Sequence, residues 1–499
     1  MISKVINFLF HHTHANQVIA KNTIWLGIGQ FGARAMRGVL IIVAARLLGV
    51  ENWGIFAYIL GIVTLLTVIA DLGIGAFVTK EIARDSSKKE LLIINTFILK
   101  LILIVVFGII TIPFVPLIAK FSIPLPLLLF IALTFAFDAL RDFASAVARG
   151  MQRMEIEAAS LGVTNFLITI FGITSLWYRP TIFSLALAYV LGTTIGSLIT
   201  FWWLRKSLSI KIIVPRLNTL KEILRVSWPF GLMSVLGIIM LNTDTLMLGW
   251  LSNAYAIGLY TSSQRIIQML YAIPAILATA LFPTLSRQAH DNQEQFTTTL
   301  KTGLQLQLLL AGTIMIVGIF YAPEIISLAF GSKYLPSLST FIALLFTLPI
   351  VFPSILLTNA LFAKGKRKTF IWFFALGAGS NIIGNALLIP SLGITGCALA
   401  TLLSQMLSNF LYFKILVTDL HISIREIFKK PIITVSLLFL INIAVLFLGK
   451  YILHLPLPSF LIGGLISISI AYLAGRNLYR NRTHLKAGDI SNIGSDQIF

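Results

Sequence analysis

Long apolar runs alternate with short polar, glycine- or proline-bearing connectors along the whole chain. About 20 mostly apolar residues suffice to cross a bilayer as a helix. On that measure the pattern predicts about fourteen spans: 22–48, 53–78, 90–116, 126–149, 156–178, 181–204, 227–251, 255–285, 298–321, 337–363, 369–390, 393–417, 431–453 and 457–478. Tight connectors such as Gly49-Val50-Glu51-Asn52, Arg179-Pro180 and Pro390-Ser391-Leu392-Gly393 join alternate spans. Pro274, Pro349 and Pro353 fall inside spans and predict bent helices, since neighbouring helices can re-satisfy the carbonyls a proline frees. The run Val5–Phe10 is too short for the apolar part of a cleavable signal, so residues 1–21 read as a cytoplasmic lead-in.

Spans recur as well as alternate. Ala148-Arg149-Gly150 closes span four and Ala363-Lys364-Gly365 closes span ten; residues 181–193 align with 393–405; Gly54-Ile55-Phe56 resembles Gly258-Leu259-Tyr260. The offsets run from 204 to 215 residues, so six spans plus a connector repeat in one orientation. A parallel repeat implies two lobes related by an axis along the membrane normal. The expected organisation is an all-α polytopic membrane protein with two pseudo-symmetric six-helix lobes, 22–205 and 227–418, joined by a cytoplasmic connector, 206–226. Spans thirteen and fourteen (431–478) and a cytoplasmic tail (479–499) follow. The end of the connector, Leu217–Val226, is amphipathic and suits the membrane interface.

Composition agrees. Of 499 residues, 57% are hydrophobic and 11% charged, against about 25% charged in soluble domains; mean hydropathy is +0.93. The net charge of +20 suggests nucleic acid only until the basic residues are placed. Lys80, Arg84, Arg149, Arg153, Arg205, Lys206, Lys364, Arg367, Lys429 and Arg480 all fall in loops on one side. That asymmetry is the positive-inside rule, and it sets both termini in the cytoplasm of a plasma (inner) membrane protein. No nucleic acid is needed to explain the charge. Cys397 is the sole cysteine, which excludes an intrachain disulfide.

A charge at mid-bilayer costs roughly 2.5–3.5 kcal/mol on insertion scales. The spans nevertheless hold Arg34, Arg37, Lys100, Arg141 and Arg265 against Asp71, Asp138, Asp142 and Asp244. Gln30, Arg34 and Arg37 share one face of span one; Asp138, Arg141, Asp142, Ser145 and Arg149 form a stripe on span four; Thr261, Arg265 and Gln268 do so on span eight. Asp138 and Arg141 read either as an internal pair or as part of a site. Arg34 and Arg37 have no acid on their own helix, and Asp71 could neutralise one of them. An uncompensated pair of guanidinium groups suits a phosphorylated anion. In the second half, Asp244 beside Asn242, Asn381 and Asn385 at i and i+4, and Thr401 offer hard oxygens for a small cation. The same side chains also serve as glue between helices.

The stretches 46–84 (RLLGVENWGIFAYILGIVTLLTVIADLGIGAFVTKEIAR) and 242–271 (NTDTLMLGWLSNAYAIGLYTSSQRIIQMLY) resemble the openings of the two lobes of Wzx-type polysaccharide biosynthesis flippases. These belong to the MOP superfamily with lipid II flippases and MATE exporters, and the resemblance covers nearly the whole chain. It implies a MATE-like pair of lobes in alternating access, moving an oligosaccharide on a polyprenyl diphosphate to the outer leaflet. Arg34, Arg37, Arg265, Asp71, Arg141 and Gln30 would then meet the substrate, and spans thirteen and fourteen would hold its lipid tail. It further implies a sodium site from Asp244, Asn381, Asn385, Thr401 and the Cys397 carbonyl, with Asn385 where the family pattern has Asp. Na+ or H+ would be the coupling ion, with no other cofactor; lipid-linked oligosaccharide and membrane lipid would be the partners, and no polysaccharide-assembly partner is named by the sequence. The rivals are a MATE-type multidrug exporter, whose cavity should not present arginines to cationic drugs, and a polyprenyl-linked glycosyltransferase or ligase. The short outer loops carry no paired carboxylates for such an enzyme, and no Walker A loop is present.

Overall fold

A computed structural model describes residues 15–85, 89–205, 217–365, 368–420, 423–446 and 469. Every regular element among them is helical. Nine described helices are long and apolar enough to cross a membrane, ten when the bent pair 332–345 and 348–363 counts as one span. The expected span 457–478 apart from residue 469, connector residues 206–216, residues 1–14 and the tail lie outside the described residues.

Two candidate spans are double length, 38 residues over 32–69 and 41 over 372–412. At about 1.5 Å per residue each runs near 60 Å, twice an apolar core of about 30 Å, so each is long enough for two crossings. The interruptions fall where the connectors were expected. Helix α1 (Ala15–Ile69) breaks at Gly49, φ 76 and ψ 173, a conformation glycine adopts without a Cβ penalty. Asn52 then donates from Nδ2 to the freed Leu48 carbonyl at 3.2 Å.

The first half continues with α2 (Ile74–Arg84), α3 (Lys89–Thr111), α4 (Leu125–Gly150), α5 (Met154–Tyr178), α6 (Ile182–Arg205) and α7 (Leu217–Leu251). Two expectations change here. The amphipathic end of the connector and span seven are one continuous helix, α7, with Pro229 inside it. Span two is not continuous: it breaks at 70–73, where Leu72 and Gly73 have φ of 42 and 79. Bare backbone is tolerable at membrane depth only where protein covers it, and α7 does so. A Cβ on Gly73 would lie 2.3 Å from the Ser227 carbonyl oxygen, and one on Gly231 2.5 Å from the Leu72 carbonyl carbon.

The next helices are α8 (Ala254–Leu270), α9 (Ala272–Asp291), α10 (Gln293–Phe320), α11 (Ala322–Phe330), α12 (Leu338–Leu345), α13 (Leu348–Ala363), α14 (Lys368–Leu420, interrupted at Gly393) and α15 (Ile424–Leu446). Proline explains two of the breaks. A proline ring clashes with the carbonyl four residues back; α8 ends at Leu270, four before Pro274, and α12 ends at Leu345, four before Pro349. The two breaks are tied to each other, Tyr271 Oη to Thr347 Oγ1 at 2.9 Å. Span eight, the repeat partner of span two, is thus also discontinuous.

The backbone forms two compact units, Met1–Ser262 with Ile389–Ile394, and Ser263–Leu388 with Thr395–Phe499. The first boundary lies beyond the expected connector because α7 packs on α1 and α2. Close backbone approach through small residues, the usual way helices associate in lipid, marks the first unit. Gly192 of α6 meets Ile168 of α5, and Ser160 of α5 shares a 2.7 Å hydroxyl bond with Thr200 of α6. The repeat-related glycines meet reciprocally: a Cβ on Gly54 would sit 1.8 Å from the Ala254 carbonyl oxygen, and one on Gly258 2.0 Å from that of Val50. Alanine at Gly54 or Gly258 is expected to destabilise the fold by about 1–3 kcal/mol through overpacking. Alanine at Gly162, a helical position where a Cβ meets nothing within 4 Å, should stabilise it by up to about 1 kcal/mol. Thermal unfolding in detergent measures both.

Candidate functional site

The charges of spans two and three meet in the break. Lys100 of α3, its side chain fully buried, donates to Asp71 Oδ1 at 2.8 Å. Asp71 Oδ2 accepts from the Gly75 amide at 3.2 Å, satisfying a free N–H in the first turn of α2. One carboxylate therefore caps a half-helix and balances a buried ammonium. Asp71 is engaged by Lys100 rather than by either arginine of span one.

On α4, Arg141 is 5% exposed. Its Nη2 lies 2.9 Å from Asp138 Oδ1 and 2.7 Å from Asp142 Oδ1. The internal-pair reading of this stripe is what the geometry shows. In the last turn of α4, Arg149 pairs with Glu157 of α5. Arg37 donates from Nε to Asn165 Oδ1 at 3.1 Å, and Asn165 is itself held by a 2.8 Å bond from Nδ2 to the Leu161 carbonyl. Arg37, Lys100 and Arg141 all act electrostatically on Asp138.

Arg34 differs. It is exposed, as is Gln30, and among the described residues no hydrogen bond or ion pair reaches it. Arg34, Arg37, Lys100 and Arg141 stand against Asp71, Asp138 and Asp142, so four cations meet three anions and one positive charge is left over. Glu157 and Asn165, which complete this arrangement, escaped the sequence reading. Their signal is a polar stripe on span five, Glu157, Ser160, Thr164 and Asn165, at helical spacing.

The second-half candidates lie in separate units. Arg265, half-buried, donates from Nη1 to Gln268 Oε1 at 2.8 Å. Asn381, Asn385 and Thr401 come together as predicted: Asn385 Nδ2 donates to Asn381 Oδ1 at 3.1 Å, and Asn381 Nδ2 to Thr401 Oγ1 at 3.3 Å. Asp244, 2% exposed, accepts a hydrogen bond from the buried Tyr260 hydroxyl in the first unit. Within its own unit, the Asn381–Asn385–Thr401 cluster thus has two of its oxygens engaged by amide donors of the same cluster. Among the described residues no three His, Cys, Asp or Glu side chains gather to hold a metal.

The architecture places the chain among multi-pass membrane proteins with a MATE-like fold. Residues 19–289 match the family described as polysaccharide biosynthesis protein, more than half of the chain, and the protein belongs to that family. Residues 229–387 match the family described as MatE. An uncharacterised membrane protein of Methanocaldococcus jannaschii is 24% identical over 78% of this chain and 95% of its own. The Haloferax volcanii protein named as the probable low-salt glycan biosynthesis flippase Agl15 is 22% identical over 79% of this chain and 82% of its own. Among solved structures, the lipid II flippase MurJ in an inward closed conformation superposes with a TM-score of 0.75 at 19% identity, covering 92% of this chain and all of that one.

Removing one partner of a buried ion pair costs about 3–5 kcal/mol, whereas removing both can be neutral. Asp71→Asn and Lys100→Met are therefore each expected to lower the unfolding temperature in detergent well below wild type, and Asp71→Asn/Lys100→Met to recover most of the loss.

Proposed function

We propose that this protein is a flippase that carries an oligosaccharide on a polyprenyl diphosphate from the cytoplasmic to the outer leaflet of the plasma membrane, by alternating exposure of its two lobes. Family membership and the fold shared with MurJ support the class, and the name of the Haloferax relative supports a glycan cargo. The single observation that carries the reading to a diphosphate is the state of the span-one arginines. Facing lipid, an arginine costs roughly 2.5–3.5 kcal/mol or more, so the exposed Arg34 requires a watery chamber. Arg37 is held one turn away by Asn165, and the neighbouring carboxylates are already committed to other cations. A planar guanidinium with no counter-charge among the described residues, beside a second on the same helix face, matches two linked phosphates. The sugars would cross in the chamber while the polyprenyl tail stays in lipid against spans thirteen and fourteen. The one-sided distribution of basic loops supports cytoplasmic termini.

The MatE match over 229–387 favours a multidrug exporter as the second reading. An excess of positive charge at Arg34 opposes it, because the drugs such exporters carry are mostly cations.

Arg34→Gln/Arg37→Gln tests the proposal. Each hydrogen bond to a charged group contributes about 1.5–3 kcal/mol, and 1.4 kcal/mol is tenfold. Translocation of a fluorescent polyprenyl-diphosphate disaccharide in vesicles should fall at least about tenfold, with the unfolding temperature little changed. Arg84→Gln, which removes an exposed side chain from a surface ion pair, should translocate at the wild-type rate. An undiminished rate in the double variant would exclude the arginines as the cargo site.

A further inference from the structure

The cations near α4 differ in what anchors them. Lys100, Arg141 and Arg149 are held by carboxylates, which fix the side chain and cancel its charge together. Arg37 is held by an amide. Its Nε donates to Asn165 Oδ1 at 3.1 Å, and no other hydrogen bond or ion pair engages it among the described residues. Both Nη groups therefore remain available. A guanidinium presents its N–H donors in a rigid planar fork, so a bond at Nε fixes the direction of the Nη edge.

The seam between α1 and α5 puts Asn165 in place for this. Ala158, Asn165 and Gly172 recur every seven residues, one stripe along α5. At both ends of the stripe the helices approach through small residues. A Cβ on Gly29 of α1 would lie 2.8 Å from the Ala158 Cα, and one on Gly172 2.6 Å from Leu40 Cδ1 of α1. Asn165, 3% exposed, stands between these contacts, whereas Arg37 is exposed. The Asn165 Nδ2 donates to the Leu161 carbonyl at 2.8 Å. The amide is thus fixed by its own helix, and its oxygen is committed to Arg37. An amide in a helix seam can also serve as glue alone; charge separates the two roles.

We propose that Asn165 is a positioning and specificity-determining residue for an anionic cargo: it aims the Arg37 fork through Nε while leaving the positive charge of the guanidinium undiminished. Phosphate oxygens pair with two parallel N–H groups of such a fork. A carboxylate at 165 would offer Nε the same acceptor and hold the side chain as firmly, but it would cancel the charge that the cargo needs. An aliphatic side chain there would keep the charge and lose the aim. That the anion is a polyprenyl diphosphate rests on the flippase reading; the neutral anchoring of Arg37 does not.

Two variants of the full-length protein separate positioning from glue. In detergent at low salt, wild type should bind inorganic pyrophosphate more tightly than orthophosphate. Asn165→Asp should weaken pyrophosphate binding about tenfold or more, the worth of one hydrogen bond to a charged group, with the unfolding temperature little changed. Asn165→Leu should weaken it several-fold and narrow the preference over orthophosphate. A merely structural tie predicts the reverse. Asn165→Asp would then keep the bond and bind pyrophosphate as wild type does, and Asn165→Leu would lower the unfolding temperature without moving the preference. That result would overturn the proposal, as would a wild type with no affinity for pyrophosphate. Where Asn165→Asp loses pyrophosphate but wild type translocates no polyprenyl-diphosphate disaccharide in vesicles, only the flippase reading falls. Where wild type translocates it and Asn165→Asp does so undiminished, only the role of Asn165 falls.

Discussion

A charged group inside a bilayer must find an opposite charge or water, and the first unit is arranged around that constraint. Lys100 takes Asp71, Arg141 takes Asp138 and Asp142, and Arg149 takes Glu157. Each pairing also joins or shapes elements: the first ties α3 to the break in span two, the last ties α4 to α5. Once these are made, no carboxylate of the group is left for Arg34. The excess cation is therefore a consequence of how the others are paired, which a tally of charges along single helices does not show.

The same constraint accounts for the broken helices. A discontinuity in a membrane span exposes backbone that lipid cannot satisfy, so it must be covered by protein or water. Asp71 satisfies an amide on one side of the span-two break, and the α7 backbone, through Gly231, covers the other. In the second half the Tyr271–Thr347 bond and the Gln307 side chain, which donates to the Pro274 carbonyl at 3.3 Å, do the corresponding work. Interrupted helices at matching places in two repeats are a recurrent mark of substrate and ion sites in transporters. Here the interruptions in spans two and eight follow the reciprocal contact of Gly54 and Gly258, the glycines whose likeness first revealed the repeat.

Much of this was legible in the residues. Apolar run length marked the chain as a bundle of membrane helices because a bilayer has one thickness, and Gly49 and Gly393 fall in the connectors expected at 49–52 and 390–393. Pro274 and Pro349 marked two bends, since the ring clash acts four residues back. The break at Asp71-Leu72-Gly73 was not legible: the run 53–78 is mostly apolar, and the partner of its Asp71 is Lys100, 29 positions away. Asn165 and Glu157 were missed for a similar reason, because a lone amide or acid acquires its role only from the arginine that a different helix brings to it. Asn381, Asn385 and Thr401 do converge, yet their oxygens serve each other, as polar glue between helices does.

The central claim, that span one offers an uncompensated guanidinium to a phosphorylated cargo, is open to a direct binding measurement. Purified protein in detergent would be titrated with one polyprenol as its diphosphate, its monophosphate and its free alcohol. The account predicts affinity falling in that order, with the three compounds becoming nearly equal in Arg34→Gln. A free alcohol bound as tightly as the diphosphate by wild type would contradict it.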